Sequence, residues 1–257
     1  MNTTWIPGVV SVTFRALPAS EVIRLAAENG LKAVEWSENA HVLPGDPQGA
    51  SALRRATEAA GLTVAAYGSY YRLGAYEDPA AVFTQSLASA EALGAPTLRI
   101  WAGTKPSAEA DAAYRAKLAG EAAMLAGMAA GKGIKLAFEW HRDTLTDTNE
   151  SALRLLSDAG HPNLYCLWQP TVALSPSQRV EGIRLLCDRL VHMHVYSWPD
   201  GCRGPLNLAE WKLYLDAADC SGSRFALLEF VRGDSPEQFA ADAARLLDLL
   251  HHGGYGA

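Results

Sequence analysis

Glu139 and His141 stand two residues apart at the end of a run, Lys135 to Glu139, in which Leu136 and Phe138 alternate with Ala137 and Glu139. That period of two is a β-strand's, so the carboxylate and the imidazole share one side of its end. A carboxylate there is costly unless something pairs it. The pair suits either a metal ligand set or a buried Glu–His hydrogen bond. Further along, His192 and His194 share a side of the run Leu190 to Val195, and Glu229 closes the apolar run Phe225 to Leu228.

These groups must be positioned by a repeating unit: an Ala/Leu-rich amphipathic helix, a glycine or turn, then a short apolar strand. Helices are expected over residues 21–29, 51–60, 80–93, 108–130, 151–159, 178–187, 208–219 and 236–250. Strands are expected over 9–14, 31–36, 62–67, 96–101, 135–139, 163–168, 190–195 and 225–230. Ser20, Asp78 and Ser235 read as N-caps, with Pro79 and Pro236 at first helical positions. Eight strands alternating with eight helices predict a parallel sheet covered by helices, and the lack of a glycine-rich phosphate fingerprint favours a closed (β/α)8 barrel, a TIM barrel, in the α/β class. A single domain over 1–257 is expected, with 251–257 as a frayed tail and its two histidines solvated.

Composition bounds the function. The net charge of −6 gives no basic footprint, which argues against a nucleic-acid partner. No stretch is long and apolar enough to span a membrane, and Met1 to Trp5 lacks the regions of a signal peptide. Cys166, Cys187, Cys202 and Cys220 have no CxxC pairing, so reduced thiols and a cytoplasmic location are expected. A homodimer stays open, with no interface marked in the sequence.

In such barrels the chemistry lies at the C-terminal ends of the strands. Those ends collect Arg15, Glu35, Tyr67, Arg99, Glu139, His141, Gln169, His194 and Glu229, with Trp101 and Trp198 beside them. Parity brings one residue from each of strands five to eight to the mouth: Glu139, Gln169, His194 and Glu229. This oxygen and nitrogen set suits one Mn²⁺, Mg²⁺, Co²⁺ or Zn²⁺ ion. His192 lies one layer deeper and reads as a satisfied core histidine. His141 reads as a substrate contact or as a group fixing Glu139. Arg99, Trp101, Tyr67, Glu35 and Trp198 complete the expected substrate contacts, with a salt bridge to an arginine as the alternative for Glu35. Arg99, Arg142 and Arg232 could each hold an anion or serve a structural salt bridge. Parity turns Trp36, Trp140 and Trp168 outward.

Phe138 to His141 with Thr144 to Thr148, the His-x-His of strand seven and the Leu-Glu-Phe of 228–230 together resemble the xylose-isomerase-like TIM-barrel superfamily, over essentially the whole chain. The resemblance implies a metal held by Glu, Asp, His and Glu at the ends of strands five to eight, the two glutamates also moving protons. By position these are Glu139, residue 169, His194 and Glu229. This chain departs from the pattern at strand six, where Gln169 replaces the aspartate and Val172 replaces a histidine three residues on. Ligand charge falls from three negative to two, which implies weaker metal affinity and a more electrophilic ion. Loss of the histidine argues against the multi-zinc nuclease members.

The implied chemistry is proton transfer beside a carbonyl of a small keto-sugar, polyol or sugar phosphate through an enediolate, with Glu139 and Glu229 as acid and base. Isomerisation and epimerisation are the first expectation. Dehydration of a cyclic polyol or keto acid is the second. A sugar-binding barrel without turnover is the third, kept open by Gln169.

Overall fold

The computed structural model describes residues 3–171, 173–218 and 220–256; Val172 lies outside them. Eight parallel strands close into a barrel in chain order: β1 (Thr3–Val10), β2 (Ala33–Ser37), β3 (Thr63–Arg72), β4 (Thr97–Trp101), β5 (Lys135–Glu139), β6 (Leu164–Trp168), β7 (Leu190–Val195) and β8 (Gly222–Leu228). Between and after them run α1 (Ala19–Glu28), α2 (Pro47–Ala59), α3 (Pro79–Leu93), α4 (Ala112–Ala130), α5 (Asn149–Ala159), α6 (Pro176–Leu185), α7 (Leu208–Ala217) and α8 (Pro236–His252). The expected TIM barrel is the fold.

Local chemistry sets the helix starts. Asp78 and Ser235 accept the N–H groups of Ala81 and Gln238, each with proline at the first helical position, as expected. α1 differs: Pro18, not Ser20, precedes it, and no side chain caps it. The main core lies between sheet and helices, where Trp5, Trp36, Trp140, Trp168 and Trp211 are fully buried. Each ring removes roughly 200 Å² from water, worth about 5 kcal/mol in transfer terms. A second apolar cluster of Val10, Val12, Ala33, Ala65 and Leu227 fills part of the barrel interior. Ile6 and Phe225 pack against it, and the buried polar groups Glu35, Arg99, His192 and His194 lie in the same barrel.

The first strand starts earlier than its hydrophobicity suggests. β1 pairs with β8 from Thr3 to Val9, straight through Pro7 and Gly8, and residues 11–14 form a 3-10 turn instead. Gly8 is needed there, because a Cβ would lie 2.5 Å from the Ala33 carbonyl oxygen. Arg15 consequently sits exposed beyond the turn. The C-terminal tail is docked rather than frayed: α8 runs to His252, the Trp5 N–H donates to the Tyr255 carbonyl at 2.7 Å, and the Tyr255 hydroxyl bonds Asp216.

Reduced thiols throughout are also corrected. Cys187 precedes β7 and Cys220 precedes β8, and because those strands are neighbours the two Cα atoms lie 5.7 Å apart and the sulfurs are bonded. Cys166 and Cys202 remain free. The cytoplasmic expectation therefore loses the support it drew from the thiols. No helix among the described residues is long and apolar enough to cross a membrane.

Thiol titration of unfolded protein is expected to find two thiols without reductant and four with it; four in both cases would refute the bridge. The double Cys187→Ser, Cys220→Ser variant should lose about 2–4 kcal/mol of stability in chemical denaturation.

Candidate active site at the barrel mouth

Three carboxylates and one guanidinium share the polar half of the barrel. Arg99, from β4, is buried; its Nη1 donates to the Ser69 carbonyl at 3.0 Å and stands 2.9 Å from Glu139 as an ion pair, while Nη2 donates to Glu35 at 3.4 Å. Glu35, on β2, has no exposed surface and accepts from Nε2 of both His192 and His194 at 3.0 Å. Gly68 pairs with Arg99 across β3 and β4, and a Cβ there would lie 2.5 Å from Glu35 Oε1 and 2.7 Å from Arg99 Nη2. The missing side chain leaves the space that the Glu35–Arg99 pair occupies.

Above this layer, Glu139, Gln169, His194 and Glu229 converge. The Gln169 amide donates to Glu139 Oε1 at 3.1 Å and to the Trp140 carbonyl at 2.8 Å. The Trp101 indole N–H donates to Glu139 Oε2. His194 Nδ1 stands 3.4 Å from Glu229 Oε2 and 3.9 Å from Glu139 Oε1. The 3.4 Å approach does not make a hydrogen bond, and three buried atoms here have no partner: Gln169 Oε1, His194 Nδ1 and Glu229 Oε2.

Those three atoms test the fit of a metal. All can offer a lone pair inward, and buried polar atoms of this kind are costly when unmade. Two atoms each about 2.0–2.2 Å from one ion can be at most about 4.4 Å apart, and the 3.4 and 3.9 Å separations lie within that span. The ligand atoms of Glu139, His194 and Glu229 all lie within 4.8 Å of one another. With Nε2–H given to Glu35, His194 presents Nδ1 as an acceptor, the arrangement in which a carboxylate orients a ligating imidazole. The donor set fits a single divalent ion.

The electrostatics agree. Burial alone would raise Glu35, but His194, His192 and Arg99 together hold it well below the usual carboxylate range. Burial pulls His192 down despite Glu35. Burial also opposes charge on His194, yet Glu229 and Glu35 outweigh it and push its imidazole up to about 10. Without a cation among the ligands, a proton on His194 takes up part of the negative charge.

The loop after β5 is built around Glu139. Thr146 Oγ1 donates to the Glu139 carbonyl at 2.7 Å, Thr144 Oγ1 donates to the His141 carbonyl, and Thr148 caps α5. The Thr144 to Thr148 run is thus a hydrogen-bonded brace. His141 is half-buried and stacks on Trp101, with ring centres 4.6 Å apart and Nδ1 2.6 Å from the Arg142 carbonyl. At the opposite wall Phe230 adopts φ +55°, rare for a bulky residue, directly after Glu229. Trp198 and Tyr196 pack edge-on against its ring. This turned backbone was invisible in the sequence.

Of the expected site residues, Glu139, Gln169, His194, Glu229, Trp101 and His141 meet at the mouth, with Trp198 on its rim. Glu35 and Arg99 lie beneath, bonded to one another and to the site, so neither is an open substrate contact. Tyr67 lies apart: it is buried in the sheet–helix core and its hydroxyl donates to the Val42 carbonyl at 3.0 Å. Because β3 continues past it to Arg72, Tyr67 stands in mid-strand. Arg142 is exposed beside Asp143, and Arg232 donates to Gln238.

A metal held on His194 Nδ1 would have to displace a proton from that imidazole, so Mn²⁺ affinity is expected to rise about tenfold per pH unit between roughly pH 6 and 9. Glu35→Gln should weaken binding about 10–100-fold by removing the charge that orients His194. Calorimetric titration measures both; a pH-independent affinity untouched by Glu35→Gln would contradict the assignment.

A family model described as xylose isomerase-like TIM barrel matches residues 23–254. No curated protein matches the chain. Among solved structures, the probable 3-DHS dehydratase AsbF involved in petrobactin synthesis from Bacillus anthracis is similar at 19% identity, covering 95% of this chain and 99% of that one with a TM-score of 0.79. A D-allulose 3-epimerase from Methylomonas sp. is similar at 17% identity, covering 95% and 97% with a TM-score of 0.71. An L-ribulose 3-epimerase is similar at 15% identity, covering 98% and 96% with a TM-score of 0.73. These likenesses concern the fold; the family match spans most of the sequence, and the chain belongs to the xylose isomerase-like TIM barrel family.

Proposed function

We propose that this protein is a divalent-metal-dependent isomerase or epimerase that moves a proton beside a carbonyl of a small keto-sugar, polyol or sugar phosphate. The observation that carries the reading is the convergence of unpartnered lone pairs on Gln169, His194 and Glu229 beside Glu139. A bound divalent ion supplies Lewis-acid polarisation of adjacent substrate oxygens. Epimerase relatives of the same fold support the substrate class.

The two glutamates are not equivalent. Glu139 accepts from Trp101 and Gln169 and is ion-paired with Arg99. Glu229 accepts no hydrogen bond on either carboxylate oxygen among the described residues, so with Oε2 toward an ion its other oxygen is the freer group to take a C–H proton. They enter from β5 and β8, with β6 and β7 between, so they reach a substrate carbon from different sides. Arg99 is close enough to both clusters to offset charge that develops as the proton leaves. The His141 ring, backed by Trp101, offers a flat face on which a sugar's C–H groups can lie.

His141 favours a second reading, dehydration. Its Nδ1–H is given to the Arg142 carbonyl, leaving Nε2 as a further acceptor at the mouth that can take the substrate's C–H proton and return it to the departing hydroxyl. Likeness to the probable dehydratase AsbF supports the same alternative.

Incubating Mn²⁺-loaded protein with keto-sugars and cyclic keto acids in D₂O separates these readings. Deuterium beside the carbonyl of recovered sugar supports isomerase or epimerase action; a new ultraviolet-absorbing conjugated product supports dehydration. Glu229→Gln should lower either rate about 10²–10⁴-fold. Sugar binding with neither exchange nor elimination would instead favour a barrel without turnover.

A further inference from the structure

β3 continues to Arg72, well beyond the apolar run that marks it in the sequence, and Arg72 pairs with Trp101 where β4 ends. The Arg72 guanidinium carbon lies 3.7 Å over the Trp101 ring. Such stacking uses the flat face of the guanidinium and leaves its N–H edge free to bind. Among the described residues no side-chain hydrogen bond or ion pair engages that edge, and Tyr76, Glu139 and Tyr70 stand near it. Arg72 is half-buried, so its rim position is defined by packing as well as by charge.

The platform belongs to the mouth. Trp101 donates to Glu139 and stacks on His141. An anion on the Arg72 edge would therefore stand about one indole ring away from Glu139, on the same substrate-facing rim. Of the other cations at this end, Arg99 is engaged by Glu35 and Glu139, Arg179 by Glu210 and Arg203 by Asp234, while Arg15 and Arg142 are exposed and not stacked on Trp101. Three carboxylates beneath the mouth would repel an anionic substrate unless a local positive group received its charged end. A guanidinium fork matches the paired oxygens of a carboxylate or phosphate.

We propose that Arg72, held flat on Trp101, is the substrate's anion anchor, and that the substrate carries a carboxylate or phosphate at the end remote from the reacting carbon. The proposal rests on the proton-transfer reading of the mouth and narrows its substrate class from neutral sugars to anionic ones.

Calorimetric titration of the full-length protein, metal-free and Mn²⁺-loaded, with D-fructose, D-fructose 6-phosphate and quinate tests this. At least one anion should bind about tenfold or more tighter than fructose, the gain expected of a charged hydrogen-bonded pair. Arg72→Gln should bring that anion down to the affinity of fructose, and Arg72→Lys should recover part of the difference. Preference for fructose 6-phosphate identifies a phosphate, and preference for quinate a carboxylate. The anchor is overturned if fructose binds as well as both anions, if neither anion binds, or if the preference survives Arg72→Gln. Anion affinity that needs Mn²⁺ and survives that substitution places the anion on the metal and also overturns it. Mn²⁺ stoichiometry in the same samples separates the two ideas: metal without an Arg72-dependent preference removes only the anchor, and the preference without metal removes only the metal-dependent reading.

Discussion

Charge balance inside a closed barrel is the constraint on which the site depends. Glu35, Glu139 and Glu229 are buried within one network, and Arg99 is the guanidinium buried with them. Formally, three carboxylates against one guanidinium leave two negative charges in a space that water barely reaches. Buried charge is tolerated only when paired or coordinating. A divalent ion among Glu139, Gln169, His194 and Glu229 brings the formal sum to zero. An aspartate at position 169 would leave one negative charge over. The glutamine that departs from the family pattern is therefore compatible with Arg99, whose positive charge already stands against Glu139.

The backbone makes room for that network at particular residues. Gly68 vacates the volume between Glu35 and Arg99, and Gly8 lets β1 approach β2 closely. Thr146 ties down the carbonyl of Glu139, while the left-handed turn at Phe230 redirects the chain just after Glu229. Backbone of this kind is sustained only where the surroundings overdetermine it, as the aromatic packing of Tyr196 and Trp198 around Phe230 does. The Cys187–Cys220 bridge joins β7 and β8 near their starts, at the other end from His194 and Glu229. The strands that carry His194 and Glu229, two of the four proposed ligands, are thus tethered below and shaped above.

Much of this was legible in the chain. Alternation over Lys135 to Glu139 and the parity of His192 and His194 placed the mouth residues of β5 and β7 because regular strands have a fixed period. Pro7 and Gly8 read as breakers, so β1 was shifted toward the apolar Val9 to Phe14; pairing with β8 overrode them. Gly68 and Ser69 likewise hid the continuation of β3, and with it Arg72. Tyr67 was misplaced because the apolar run ends there while β3 continues to Arg72, which leaves Tyr67 in mid-strand. The disulfide and the docking of Tyr255 depend on which strands become neighbours, which spacing along the chain does not encode.

A crystal of the protein grown with Mn²⁺ and measured at the manganese absorption edge tests the central claim most directly. The account predicts one anomalous peak about 2.0–2.3 Å from a carboxylate oxygen of Glu139 and of Glu229, from Gln169 Oε1 and from His194 Nδ1. No peak there, with His194 as an imidazolium hydrogen-bonded to both Glu35 and Glu229 in place of an ion, would contradict it.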